Sequence, residues 1–242
     1  MYVELTNEYS VKVIRGALDL YVAVMEFDPA GIFRDRSGRW YNNLADNDQD
    51  VLAIRGERPG DFSKCPALDR LAEMHEQYQT ALTGLDSDDY GNYFDFMFAA
   101  SNLQEKVAIG HVMVNDTELR VLSNACEVLA RYHALQYDIV WGDFIHHYMW
   151  KIVPTVWGGR SFHDLIDIQF KELKSALGFG SDVTYGHGSH KMNNAAHVAW
   201  DAYEYFRHEI YRKNNPEGGG VTVDASPAYH WYKSVPLPVL HK

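Results

Sequence analysis

Four side chains of metal-ligand type, His197, Asp201, Glu204 and His208, recur at i, i+4, i+7 and i+11 late in the chain, a spacing that places them on one face of a helix. A face of histidines and carboxylates has the donor types for a divalent metal. The stripe Ala199, Tyr203, Phe206 and Ile210 lies about 200° away round the same helix, so the apolar stripe is expected to face the core and the ligand-type face to meet water. A di-iron bundle would need Glu-x-x-His pairs on two helices, and the sequence has no such pair. A second constellation is aromatic. "QYDIVWGDFIHHYMW" brings Trp141, His146, His147 and Trp150 within about four helical turns, together with Tyr137, Phe144 and Tyr148. Rings with polar tips suit a wet cavity or an interface, and equally an aromatic core between two lobes. The loop "YGHGSH" adds Tyr185, His187 and His190, and Tyr90 stands in a similar Tyr-Gly pair earlier in the chain. These eight residues are the candidate ligand- or partner-binding set. Ser189 beside His190 lacks the Gly-x-Ser-x-Gly frame that presents a hydrolase nucleophile.

His163-Asp164, with His146 or His147 upstream and Asp201 downstream, has the His…His-Asp…Asp order of a metal-dependent, HD-like phosphohydrolase acting on nucleotides. The competing explanation is structural, since a carboxylate at a helix start satisfies free backbone N–H groups and the helix dipole. Asp69, at the matching place in the first half, follows Leu68, so the acid recurs there and the histidine does not. No Gly-x-x-x-x-Gly-Lys phosphate loop is present, and "GFGSDV" fails the dinucleotide fingerprint at its third glycine. The residues therefore favour a protein with no catalytic set, no bound metal and no cofactor. The alternative is the phosphohydrolase using His147, His163, Asp164 and Asp201.

The elements that must position these residues are helical and come in two series. Asn7, Val13 and Ala17 recur as Asn115, Val121 and Ala125 at an offset of 108; Asp69, Ala81, Leu82, Tyr90 and Gly91 recur as Asp164, Ala176, Leu177, Tyr185 and Gly186 at an offset of 95. The blocks keep their order, and the difference falls in a loop or small hairpin of the first half, where insertions are tolerated. Val11, Ile14, Leu18, Tyr21 and Met25 form the core stripe of a long first helix; Leu119, Leu122, Cys126 and Leu129 do so in the second half. The second-half helix is expected to run from about 116 to about 152, because Pro154 is the first proline that would stop it. Further helices are expected at about 66–84, 161–178 and 190–214, the last stopped by "NNPEGGG". An extended tail with one short strand at "VTV" follows. The expected fold is mainly α: two related helical units in tandem, 1–112 and 113–242, with a short extended C-terminal tail.

With 242 residues, 46% of them hydrophobic and 23% charged, the chain can bury a substantial core. A net charge of -11 argues against a protein devoted to holding a nucleic-acid backbone. No apolar run reaches the length of a membrane span, and "MYVELTNEYS" lacks the features of a signal peptide, so a cytoplasmic location is expected. Cys65 and Cys126 form no CxxC pair and read as ordinary thiols.

"VELTNEYSVKVIRGALDLY", "ELRVLSNACEVLARYHAL", the Tyr-Gly after the second helix, and "AWDAYEYFRHEIYRKNNPEGGGVTVD" with "VPLPVL" resemble a family of uncharacterised phage-encoded small helical proteins. The resemblance covers most of 115–242 and, more weakly, 5–95. It implies one small helical domain with an extended tail, here doubled, acting in the cytoplasm of an infected bacterium. The first copy shows no clear counterpart of the "AYEYFRHEIYRKNN" helix. The expectation is a non-enzymatic binding protein that engages a host protein or sequesters a small signalling ligand, in host takeover or anti-defence.

Overall fold

The stripe from Val11 to Met25 needs a start and a stop, and both are local. Asn7, in extended backbone, turns its side-chain oxygen onto the amides of Tyr9 and Ser10 at 2.9 and 3.1 Å, opening helix α1 (Glu8–Met25). At the other end Phe27 adopts φ 53°; its amide bonds Val24 O and that of Asp28 bonds Ala23 O, a Schellman closure. A phenylalanine in left-handed backbone is strained, and complete burial of its ring offsets the strain. The computed structural model describes residues 1–34, 65–84, 92–143, 162–186, 188–218 and 229–242.

Strand β1 (Tyr2–Leu5) precedes α1, and α2 (Pro29–Arg34), α3 (Pro66–Thr83) and α4 (Tyr93–Lys106) follow it. Then come strand β2 (Gly110–Met113), helix α5 (Asp116–His133), a π-helical turn at Ile139–Asp143, α6 (Phe162–Ala176), α7 (Asn194–Asn214) and strand β3 (Val239–His241). The chain is mainly helical with one small sheet. None of the described helices is long and apolar enough to cross a membrane.

Helix α5 repeats the construction of α1 at an offset of 108. Asn115 caps it, here in a reciprocal box with Glu118, and Leu135 leaves it at φ 58° with its amide on Tyr132 O and that of Gln136 on Arg131 O. The strand bounds share the offset, but the faces do not: inward Val3 and Leu5 correspond to outward His111 and Met113. β1 and β2 pair antiparallel with Val3 opposite Val112 and Glu4 opposite His111; shifting each residue of the first pair by 108 gives the second. β3 pairs with the other edge of β1, giving the order β2-β1-β3. Val3, Leu5 and Val112 point into the core while Tyr2, Glu4, His111 and Met113 alternate outward. A division at 112/113 falls inside β2. The described parts of both halves share one continuous core, in which α1 lies against α5.

Helix α4 packs on α1 and α5, and α7 packs on α5 and α1. Lys106, at the end of α4, bonds the buried carboxylate of Glu118 at 2.6 Å and fixes α4 to the start of α5. The helix expected to run to about 152 instead stops at His133, because Leu135 takes the left-handed exit; residues 144–161 lie outside the described ones. The "VTV" of 221–223 also lies outside them, and the tail's described strand is β3. Cys65 and Cys126 are free and buried, and burial pushes the Cys126 thiol up to about 12.

Candidate functional site

Asp201 shows what the ligand-type face of α7 does. The residue is 2% exposed, and its two carboxylate oxygens accept the backbone amides of Trp231 and Tyr232 at 2.9 and 2.8 Å. Glu204 accepts the indole N–H of Trp200 at 3.0 Å and the amide of Tyr229 at 3.3 Å. The face expected to meet water is therefore covered by the C-terminal tail. The reason is that α7 is packed on both sides, with α5 on one flank and residues 229–235 on the other. Burial raises the Asp201 pKa, while the two amides and His230, 3.8 Å away, pull it down. His197 and His208 are half-buried on the same helix. Asp164 is exposed in the first turn of α6. His147 and the side chain of His163 lie outside the described residues. Among the described residues, no group of three or more His, Cys, Asp or Glu side chains converges to hold a metal.

Of the eight candidate binding residues, Tyr90, His146, His147, Trp150 and His187 lie outside the described residues. Trp141 is fully buried. Its ring stacks on Phe170 at 5.1 Å and meets Tyr137 edge-on at 6.1 Å, with Phe33 and Tyr132 completing an aromatic core. Tyr185 packs elsewhere, half-buried over Ala134, Met192 and Ala196 beyond the end of α5. Its amide donates to Ala134 O at 2.8 Å, its carbonyl accepts from Gln136 Nε2 at 3.4 Å, and Lys191 Nζ lies 5.4 Å from its ring centre. His190 is exposed. Gly186 is not among the positive-φ residues, whereas Gly178 just after α6 is, at φ 86°. The sharp turn is thus made at the helix end and not at the Tyr-Gly pair. Ser189 accepts the amide of Lys191 at 3.2 Å, a local turn contact.

The larger opening lies at the corresponding end of α1. There the last carbonyls are held by side chains from α3 and α4. Tyr78 and Tyr93 both donate to Met25 O, at 3.1 and 3.2 Å; Gln79 donates to Glu26 O and His75 Nδ1 to Phe27 O, each at 2.8 Å. Since a carbonyl only accepts, Nδ1 carries the His75 proton. Above these groups is a cleft of about 610 Å³. It is lined by the acids Glu26 and Asp28, the polar His75, Gln79 and Thr83, and the apolar Leu82, Phe94 and Met97. The surrounding protein and then the Asp28 charge raise the Glu26 pKa, and His75 opposes them. Phe94 is 55% exposed and Phe98, one turn further along α4, is 70% exposed. Rings left in water at i, i+4 are unusual enough to mark a contact surface.

The chemistry available in this cleft is recognition. The two tyrosine hydroxyls and His75 Nδ1 are engaged by backbone carbonyls, and the lining includes a pair of carboxylates beside apolar side chains. That combination accepts an apolar side chain next to a cationic one. Sequence reasoning missed the site, although "YFDFMF" carried its signal: more aromatic residues than one buried face of a helix can hide. The chain matches no protein-family model, no curated protein and no solved structure.

Proposed function

We propose that this is a non-enzymatic binding protein, built by duplication of one strand-helix unit, which engages a partner protein through the cleft at the end of α1. The observation that carries the reading is the cleft itself, lined by Glu26, Asp28 and the exposed Phe94, with the exposed Phe98 one turn further along α4. Aromatic anchors beside charged groups are a usual energetic centre of a protein interface. The duplication is supported by capping asparagines, helix bounds and left-handed exits that all repeat at an offset of 108. The resemblance to phage-encoded helical proteins makes the partner a host protein and the bacterial cytoplasm the place of action, in host takeover or anti-defence. The phosphohydrolase alternative is weakened by Asp201, whose oxygens are both engaged by tail amides.

The test is affinity capture from bacterial lysate with the parent and with a Phe94→Ser/Phe98→Ser variant, which removes only exposed rings. The reading expects a defined partner on the parent that is lost from the variant while the melting temperature holds. Equal capture by both proteins would move the interface elsewhere.

A further inference from the structure

Between α5 and α7 runs a second opening, a groove of about 340 Å³, and its chemistry is opposite to that of the cleft. Arg120 and Arg207 line it with Tyr203, Tyr211, Asn124 and Asn214. The Arg207 guanidinium lies 5.1 Å from the centre of the Tyr203 ring, with Nη1 3.5 Å from the Tyr203 hydroxyl, so the ring holds the charge in place. Arg120 is exposed and makes no ion pair or hydrogen bond among the described residues. Glu127 also lines the groove and is paired with Arg131; nearby, Lys213 pairs with Asp116 and Arg212 with Glu209. In a chain of net charge -11, this groove carries local positive charge.

The matching helix pair in the first half shows that such a groove is not a by-product of the packing. At an offset of 108, Arg120, Ser123 and Glu127 correspond to Lys12, Arg15 and Asp19. Asp19 accepts from Gln104 at 2.6 Å and Arg15 Nε donates to Val107 O at 2.9 Å, so there the polar groups tie the helices together. Between α5 and α7 they line an opening.

We propose that the α5/α7 groove binds a nucleoside phosphate. Two guanidinium groups match a phosphate or diphosphate in charge and hydrogen-bonding geometry. The tyrosines offer ring surface, and the asparagine amides, each both donor and acceptor, match the heteroatom edge of a base. A volume of about 340 Å³ has room for one nucleotide and is too small for a folded partner. The site is separate from the α1 cleft, so either can fail without the other.

The experiment is calorimetric titration and thermal shift with ADP, adenosine and pyrophosphate, on the parent, on Arg120→Gln and on Phe94→Ser/Phe98→Ser. Because Arg120 is exposed and unpaired, its variant keeps the fold. ADP is expected to bind at one site and raise the melting temperature. Arg120→Gln should weaken it by about tenfold or more, since a charge-assisted hydrogen bond is lost, and the phenylalanine variant should leave its Kd unchanged. Adenosine and pyrophosphate should each bind at least about tenfold more weakly than ADP. The proposal is overturned if ADP at millimolar concentration gives neither heat nor shift, if Arg120→Gln binds it as the parent does, or if either fragment matches it.

Discussion

The ends of α1 and α5 share one backbone construction and are finished in two ways. Each helix starts on an asparagine cap and leaves through a buried, non-glycine residue in left-handed conformation, Phe27 or Leu135. Beyond α1 the next polar positions are Glu26 and Asp28, which open into the cleft; beyond α5 their counterparts are Ala134 and Gln136, both bonded to the backbone of Tyr185. The helix pairs invert the pattern, with α1/α4 closed by Asp19–Gln104 and α5/α7 open at Arg120. The lesson is that the shared part is the framework of caps and exits, while the openings lie where the two halves differ.

The framework is tested by the largest substitutions. Phe27→Ala is expected to cost about 3–5 kcal/mol and Leu135→Ala about 2–5 kcal/mol, since each removes a buried side chain and leaves the strained φ in place. Denaturant titration checks both. If either cost falls below about 1 kcal/mol, the matched exits do not carry the same structural load.

The tail returns to β1 through β3, and Asp201 anchors its start at Trp231 and Tyr232. Asp201→Asn turns one acceptor oxygen into a donor facing a backbone amide and should cost about 1–3 kcal/mol, with faster proteolysis of residues 229–242 than in the parent. The pH dependence has a definite sign. Burial is the leading influence and raises the folded-state pKa above the ordinary 3.8. The folded state then holds the Asp201 proton more tightly than the unfolded chain does. The parent's stability relative to Asp201→Asn is therefore greatest below the ordinary carboxylate pKa and falls as pH rises through the folded-state value. A difference that grows with pH across that window would mean that the two amides and His230 outweigh burial.

The caps sharpen the comparison further. Asn7→Ala and Asn115→Ala are each expected to cost about 1 kcal/mol, with Asn115 the larger because its box includes Glu118 and, through it, Lys106. Thermal denaturation of the two variants side by side checks the order. The smallest effect is expected from Tyr185→Phe. The contacts of Tyr185 among the described residues come from its backbone and ring and none from its hydroxyl, so the change should cost less than about 0.5 kcal/mol. A larger loss would show that the hydroxyl is engaged.

The helices with an amphipathic stripe were legible in the sequence because periodicity and caps are local: α1, α3, the first half of what was expected from 116, α6 and α7 lie close to where the spacing of Val, Leu and Ile residues puts them. The stop of α5 was not, since a leucine in left-handed backbone leaves no glycine or proline to read. The three strands are short, and their inward residues Val3, Leu5 and Val112 gain meaning only once they pair across more than a hundred residues. Asp201 was misread for the same reason: its spacing on α7 is visible, whereas its partners Trp231 and Tyr232 lie 30 and 31 residues away on a tail with no pattern. In the candidate set, Trp141 carried the chemistry of a wet ring, and the structure encloses it among five-residue aromatic packing with Phe33, Tyr132, Tyr137 and Phe170.

The central claim, that the open end of α1 is where a partner docks, is tested most directly by site-specific photocrosslinking. A photoreactive phenylalanine analogue is placed at Phe94, on the rim of the cleft, and in a parallel sample at Ile168, which is 45% exposed on α6. After irradiation in bacterial cells, a discrete crosslinked protein from position 94 and none from 168 is the predicted result. The same products from both positions, or a discrete product from 168 alone, would contradict it.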